Sequence, residues 1–188
     1  MKRPVVFLDR DGTVNEEVGY LNHLSRLRLI PGAALAIRLL REAGFAVVIL
    51  TNQSGPARGY FPETLVQEVH AELRRRLAAE GAELDGIYTC LHHPEAGCPC
   101  RKPRPGLALQ AARELGLDLS QAFVVGDRWV DLALARNLGA RAVLVLTGYG
   151  KGELEYVLPR LGLEPDLVAE DLLAAARLIL NSSKGVKV

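Results

Sequence analysis

The 188-residue sequence has no long apolar run and almost no net charge. No stretch reaches the roughly 18 consecutive apolar residues of a membrane span. Met1-Lys2-Arg3 leads straight into a predicted strand rather than into a signal-peptide core. We therefore expect a cytoplasmic protein that does not contact membranes. Lys and Arg number 23 and Asp and Glu 22, which excludes a general electrostatic attraction to nucleic acid, so any anion binding must be local.

Cysteine is also scarce, and its placement argues against a disulfide framework. The three cysteines all lie between positions 90 and 100, and an odd number in one short segment cannot pair completely. With 49% hydrophobic and 24% charged residues, the chain has the composition of one globular domain with a sizeable core. We expect a monomer in which residues 1–180 form this domain and residues 181–188 form a loose C-terminal tail.

The most informative stretch is a short apolar run that ends in two acids. Four apolar residues at positions 5–8 predict a strand buried on both faces, as in a parallel sheet. Asp9 and Asp11 follow, and Gly12 lets the backbone turn so that amides face the strand end. Ligands of open α/β sheets bind beyond these strand ends, so the acids lie where chemistry is expected. A simple Asx turn is the alternative interpretation.

The spacing of the two acids suits a two-step reaction. Asp9 can attack an electrophilic centre, and Asp11 can protonate the departing oxygen and later take a proton from water. Two neighbouring carboxylates crowd negative charge. The arrangement is tolerable only with a cation, normally Mg²⁺, which binds few carboxylates together with phosphate and water.

Strand and helix patterns alternate through the rest of the chain, which predicts a doubly wound (Rossmann-like), mostly parallel α/β sheet. The expected helices cover residues 31–42, 62–79, 107–115, 130–138 and 171–180, and the further strands cover 46–50, 86–90, 121–127, 142–146 and 167–169.

All three cysteines share one loop with two histidines at positions 90–100. Three thiolates and one imidazole form a closed tetrahedral set suited to structural Zn²⁺, and a metal would replace the apolar core that this loop lacks. The alternative is three unrelated free cysteines with an exposed His92.

The stretch Asp9-Arg10-Asp11-Gly12-Thr13-Val14-Asn15 resembles the first motif of the haloacid dehalogenase-like phosphatases. The resemblance is to the branch that holds the D-glycero-D-manno-heptose 1,7-bisphosphate 7-phosphatases and the histidinol-phosphate phosphatases. Thr51, Lys102 and Asp127 resemble the second, third and fourth motifs, in chain order. The resemblance covers residues 4–150 and implies the same fold without a separate cap domain, since neither gap between motifs holds one.

The resemblance also implies roles for the motif residues. Asp9 would be the nucleophile, Asp11 the general acid and base, Thr51 a donor to the phosphoryl group, and Lys102 the balancing charge. Mg²⁺ would be held by Asp9, Asp11 and Asp127, with Asp131 as a further candidate that could equally be an early-helix residue favoured by the dipole. The pairs Cys90-x-His92 and Cys98-x-Cys100 match the zinc loop of this branch, which favours His92 over His93 as the ligand.

The resemblance implies a phosphorylated sugar as substrate. D-glycero-D-manno-heptose 1,7-bisphosphate would lose its 7-phosphate through an aspartyl-phosphate. Histidinol phosphate is the alternative, and a signalling receiver domain is a third hypothesis that lacks an acid two residues after the phosphorylated Asp. The expected substrate contacts are Arg10, Glu17, Val18, Gly19, Tyr20, Asn52, Gln53, Ser54, Arg101 and Arg128.

Overall fold

Six parallel strands form one sheet in the order β3-β2-β1-β4-β5-β6. The computed structural model describes residues 2–184. The strands are β1 (Arg3–Leu8), β2 (Ala46–Asn52), β3 (Gly86–Cys90), β4 (Leu117–Gly126), β5 (Arg141–Val145) and β6 (Leu167–Ala169). The predicted doubly wound parallel sheet is therefore confirmed.

Helices cover both faces of the sheet. They are α1 (Ala33–Glu42), α2 (Glu63–Ala79), α3 (Gly106–Leu115), α4 (Trp129–Leu138), α5 (Gly150–Gly152), α6 (Leu158–Leu161) and α7 (Leu172–Lys184), with a π-helical turn, Glu153–Val157, between α5 and α6. Residues of α1, α2 and α7 belong to one core cluster, and residues of α3 and α4 belong to the other. In β1, Val6 and Leu8 face the first cluster while Val5 and Phe7 face the second, as expected for a strand buried on both faces.

The connections that follow β1 and β2 are short. Between β1 and β2 the chain contains a loop, a 3-10 turn (Leu24–Arg26) and α1, and between β2 and β3 it contains a loop and α2. Neither connection holds a separate cap domain, in agreement with the prediction. The cysteine loop follows β3 and contains a second 3-10 turn, Pro94–Ala96.

The boundaries of β4 and α7 differ most from the sequence-based expectation. Strand β4 begins at Leu117, ahead of the predicted residue 121, because its first residues pair with the start of β1 across a register shift. Helix α7 continues to Lys184, so residues 181–184 do not belong to a loose tail. The Ser182 and Ser183 hydroxyls donate to the Ile179 carbonyl at 2.8 and 2.9 Å, a bond compatible with helical backbone. Residues 185–188 lie outside the described residues.

The strand order places the predicted motifs side by side. Asp9 directly follows β1, Thr51 lies near the end of β2, and Asp127 directly follows β4. Because β2, β1 and β4 are neighbours and parallel, these residues meet at one edge of the sheet. Within residues 2–184, no helix is long and apolar enough to cross a membrane.

Candidate active site

Three carboxylates and one ammonium group converge beyond the ends of β1 and β4. The Lys102 Nζ donates to Asp9 Oδ1 at 2.8 Å and to Asp131 Oδ1 at 2.7 Å. Oxygen atoms of Asp9, Asp127 and Asp131 lie within 4.8 Å of one another. Lys102 is 4% exposed, and Asp127 and Asp131 are buried more completely. These charges therefore interact in an environment that screens them poorly.

One lysine does not balance this cluster. Burial and the charges of Asp9 and Asp131 raise the pKa of Asp127 to about 9. Burial raises the pKa of Asp131 to about 6, although Lys102 opposes the change. Burial alone would lower the pKa of Lys102, but the two carboxylates that it contacts raise it above its ordinary value. Asp127 Oδ1 is buried without a hydrogen-bond partner. The cluster fits a divalent cation that prefers carboxylate oxygens, such as Mg²⁺.

The backbone closes tightly over the other oxygen of Asp127. A Cβ at Gly12 would lie 2.2 Å from Asp127 Oδ2, and a Cβ at Gly148 would lie 2.1 Å from it. The Tyr149 amide donates to this oxygen at 2.9 Å. The Thr147 hydroxyl donates to the Gly12 carbonyl at 2.5 Å. The loop after β5 therefore fixes Asp127 and leaves Oδ1 as the available ligand atom.

Asp11 lies beside the cluster and is held by other partners. Arg10 Nη2 donates to its two carboxylate oxygens at 3.0 and 2.9 Å. Asn15 Nδ2 donates at 2.9 Å and Gln53 Nε2 at 2.8 Å. Burial would raise the pKa of Asp11, but the Arg10 charge and these hydrogen bonds outweigh burial and lower it. We expected the Asp11 carboxylate to join Asp9 and Asp127 in one group of metal ligands, but its oxygens face these other partners. Asp131 takes the third position in the group instead.

The end of β2 and the residue after it support Asp11 and Lys102. Thr51 lines the site, and its hydroxyl accepts a hydrogen bond from Gln53 Nε2 at 2.8 Å. The Asn52 side chain donates to the Lys102 carbonyl at 3.2 Å and accepts from the Lys102 amide at 3.0 Å. Asn52 therefore fixes the backbone that presents Lys102 to Asp9.

A cavity of about 690 Å³ opens above these groups. Eight of the ten predicted substrate contacts line it: Glu17, Gly19, Tyr20, Asn52, Gln53, Ser54, Arg101 and Arg128. Four further lining residues were not predicted from the sequence: Arg58, Arg104, Trp129 and Tyr149. Each of these four lies a few residues from a predicted motif or in the loop after the fifth predicted strand, and that proximity is the signal that could have identified them.

Two predicted substrate contacts lie away from the cavity. Arg10 is 1% exposed, and its guanidinium contacts Asp11 and His70. The Arg10 side chain therefore points into the protein, whereas Asp9 and Asp11 on either side of it line the cavity. Val18 packs against the core cluster under α1 and α2 instead of lining the cavity.

Arginine side chains bring positive charge to the lining of the cavity. Four of the cavity-lining residues are arginines: Arg58, Arg101, Arg104 and Arg128. Arg101 Nη1 is buried without a hydrogen-bond partner, so it has a donor available for a ligand. The Arg128 guanidinium lies 5.0 Å from the centre of the Tyr149 ring and 3.8 Å from the Glu153 carboxylate.

The cysteine loop forms a second cluster of potential metal ligands. Cys90 Sγ and Cys100 Sγ are 3.0 Å apart, and Cys98 Sγ lies 3.6 and 3.5 Å from them. His92 Nδ1 is 3.1 Å from Cys100 Sγ, and the cysteines form no disulfide. His93 Nδ1 instead accepts the Glu95 amide at 3.3 Å. Three thiols and one imidazole nitrogen fit a closed Zn²⁺ site.

Known proteins resemble this chain in sequence and in structure. A family model described as HAD-hydrolase-like matches residues 99–175. The chain is 45% identical over 190 residues to a D-glycero-D-manno-heptose-1,7-bisphosphate 7-phosphatase of Thermosynechococcus vestitus, which covers 95% of this chain and 96% of that protein. It is 41% identical to the D-glycero-beta-D-manno-heptose-1,7-bisphosphate 7-phosphatase of Pseudomonas aeruginosa, across 96% of this chain and 100% of that one.

A solved structure of an enzyme with the same named activity also resembles this chain. The D,D-heptose 1,7-bisphosphate phosphatase of B. bronchiseptica, crystallised with magnesium and phosphate, matches with a TM-score of 0.87 and 38% identity, over 97% of this chain and 99% of that chain. The sheet order, the Asp9 and Lys102 contact and these matches define a haloacid dehalogenase-like hydrolase. Within that class, the chain belongs to the family of the D-glycero-D-manno-heptose-1,7-bisphosphate 7-phosphatases.

Proposed function

We propose that the protein is a Mg²⁺-dependent phosphatase that removes the 7-phosphate of D-glycero-D-manno-heptose 1,7-bisphosphate. The supporting observation is the contact of Asp9 with Lys102 at 2.8 Å, next to the unpartnered Asp127 oxygen and below an arginine-lined cavity. The names of the relatives supply the substrate. The name of the Pseudomonas aeruginosa relative specifies the beta anomer, and we propose the same anomer for this chain.

Asp9 and Asp11 perform the covalent steps of the proposed reaction. Lys102 holds Asp9 Oδ1, so Asp9 Oδ2 attacks phosphorus in line. The bond from phosphorus to the sugar oxygen breaks and an aspartyl-phosphate forms. Asp11 gives its proton to the departing sugar oxygen. It then takes a proton from the water that attacks the aspartyl-phosphate, which releases phosphate and regenerates Asp9.

The electrostatics of Asp11 suit both of its roles. In the free enzyme the Arg10 charge lowers the pKa of Asp11, which favours the ionised form that acts as a base. The negative charge of a bound phosphate opposes this effect, because like charges favour the protonated form of a carboxyl group. Substrate binding therefore favours the protonated Asp11 that the first step requires.

The remaining residues stabilise charge on the phosphoryl oxygens. Lys102, the Thr51 hydroxyl and the backbone amides after Asp9 face the position of the transferred group, and such positioning provides most of the catalysis in phosphoryl transfer. Asp9 and Asp127 would hold Mg²⁺ beside Lys102, and the ion would supply further positive charge next to these oxygens. Asp131 orients Lys102 through its 2.7 Å hydrogen bond.

A second phosphate on the substrate would explain the four arginines that line the cavity. Arg101 has an unpartnered buried donor, and Arg128 is exposed toward the same cavity. Arginine binds phosphate through two parallel hydrogen bonds. Histidinol phosphate carries a single phosphate and a cationic amine, so the four arginines disfavour it.

We propose in addition that Cys90, His92, Cys98 and Cys100 hold a structural Zn²⁺. The loop that they form ends directly before Arg101 and Lys102, so a metal there would fix both residues at the cavity. Thiolate ligands of this kind persist in a reduced compartment, which supports a cytoplasmic location.

We propose that the enzyme acts as a monomer, since a single chain brings Asp9, Lys102 and the carboxylates of the cluster together. Light scattering at assay concentrations checks this. A dimer whose dissociation abolishes activity would contradict it.

Phosphate release with Mg²⁺ tests the proposed substrate. We expect kcat/KM for the beta anomer of heptose 1,7-bisphosphate to exceed that for histidinol phosphate at least about a hundredfold, or about 2.7 kcal/mol of transition-state binding. The alpha anomer is assayed separately. A preference for histidinol phosphate would overturn the substrate assignment.

A further inference from the structure

The buried Arg10 guanidinium has two different kinds of partner. Its Nε and Nη2 donate to the Asp11 carboxylate at distances between 2.9 and 3.3 Å. On the other side, its Nη1 donates to His70 Nε2 at 3.1 Å. Arg10 is 1% exposed, so water cannot replace a lost acceptor. The reaction as described above gives His70 no role.

Helix α2 carries His70 to this position. Val66, Val69, Leu73 and Leu77 form the buried face of the helix, and His70 follows Val66 by four residues, so it lies on the same side. The imidazole is half-buried, and the charged groups around it are Arg10, Asp11 and Arg74. Burial and the Arg10 charge lower the pKa of His70 to about 4. The ring is therefore neutral near pH 7 and can accept a hydrogen bond.

We propose that His70 is a positioning residue for the reaction: its neutral imidazole holds Arg10, and Arg10 in turn orients Asp11. The inference rests on the proposed phosphatase function, because Asp11 is the group that moves protons in that reaction. His70 does not line the cavity and acts through Arg10 alone.

The expected effect is partial. Without His70, one buried Arg10 N–H has no acceptor, and an unmade hydrogen bond of this kind shifts the equilibrium toward a rotated guanidinium. Asn15 and Gln53 still hold Asp11 at 2.9 and 2.8 Å. A misplacement of about 1 Å can cost about a hundredfold in rate, so we expect a loss of about tenfold in kcat.

Two substitutions at this position separate positioning from packing. H70L introduces an apolar side chain of similar size that has no acceptor. H70Q introduces a carbonyl oxygen that can accept from Arg10 at about the position of the imidazole Nε2. We expect H70L to lower kcat about tenfold with KM within about twofold of wild type, and H70Q to recover at least half of the loss on a logarithmic scale. V69A is the matched control, because Val69 lies next to His70 on the same helix and is buried in the apolar core cluster. It should lower the Tm without lowering kcat well below that Tm.

A substrate with a good leaving group gives a further test. The nitrophenolate released from p-nitrophenyl phosphate needs no proton, so the first step is independent of Asp11, whereas the second step still requires it. H70L should therefore show a nitrophenolate burst at the wild-type rate, followed by steady-state turnover about tenfold slower. Equal losses in both phases would overturn the proposal.

The protonation state of His70 is measurable in the wild-type protein and needs no variant. Long-range ¹H–¹⁵N NMR at pH 7 should show a neutral ring with the proton on Nδ1 and a bare Nε2. A ring protonated at Nε2, an H70L kcat within twofold of wild type, or an H70Q variant as slow as H70L would each overturn the proposal. Absence of turnover by the wild-type enzyme on either substrate would instead refute the proposed function itself.

Discussion

Replacing Lys102 by methionine should unbalance the buried carboxylates more than any other single substitution at the site. The change removes the ammonium that contacts Asp9 at 2.8 Å and Asp131 at 2.7 Å. Methionine fills a similar volume, so the main effect is electrostatic. Removal of one partner from a buried ion pair typically costs about 3–5 kcal/mol.

The loss of unfolding free energy has an upper limit, because one of the carboxylates can bind a proton once the Lys102 ammonium is gone. Protonation at pH 7 of a carboxyl group with an ordinary pKa near 4 costs roughly 4 kcal/mol. We therefore expect K102M to lose about 3–4 kcal/mol of unfolding free energy at pH 7. The folded-state pKa of the unpaired acid lies above its unfolded value, so its proton stabilises the fold at low pH. The loss should shrink by about 1.4 kcal/mol for each unit by which the pH falls toward 5.

Urea unfolding at pH 5, 6 and 7 without added Mg²⁺ measures both the size and the pH dependence. K151M is the matched control, since Lys151 is exposed, and it should leave stability unchanged. The double variant K102M/D131N should recover part of the loss because it removes one of the three carboxylates. A K102M loss below about 1 kcal/mol at pH 7, or a loss that does not vary with pH, would refute the reasoning.

Three further predictions concern the metals and the turn over Asp127. Mg²⁺ should raise the Tm more at pH 8 than at pH 6. Because the pKa of Asp127 is raised to about 9, protons compete with the ion for this carboxylate, and they compete more strongly at the lower pH. Equal Tm shifts at the two pH values would contradict this. Purified protein should contain about one zinc per chain, and chelation should lower the Tm; a zinc-free chain with an unchanged Tm would exclude the zinc site. G148A places a Cβ 2.1 Å from Asp127 Oδ2 and should weaken Mg²⁺ binding measured by calorimetry. G162A is the control: Gly162 also has a positive φ, but a Cβ there has no neighbour within 4 Å, so this change should only lower the stability of the fold. Equal Mg²⁺ affinities of the two variants would contradict the role of this turn.

Residues that directly follow strands were predictable from the sequence. The apolar run before Asp9 and the alternation of strands and helices indicate a parallel sheet, and in such a sheet the ends of neighbouring strands must meet. This reasoning brings the ends of neighbouring strands together, whereas the resemblance to the phosphatase motifs is what selected Thr51 and Asp127 among the residues near those ends. The cysteine cluster was visible in the sequence because its four possible ligands lie within eleven residues.

The direction of single side chains was not predictable. Arg10 was expected at the substrate, but it turns inward to a histidine that lies 60 positions further along the chain. No local pattern encodes that contact. Arg58 and Tyr149 come from loops whose paths depend on tertiary packing. The last turn of α7 consists of the polar residues 181–184, whose pattern does not predict a helix.

The most direct test of the account is to identify the products from heptose 1,7-bisphosphate. ³¹P NMR should show that the phosphate ester at C7 disappears while the anomeric phosphate remains. D9N, folded with an unchanged sheet, should give no product because it lacks the nucleophile. Loss of the anomeric phosphate, or turnover by D9N within about tenfold of wild type, would contradict the account.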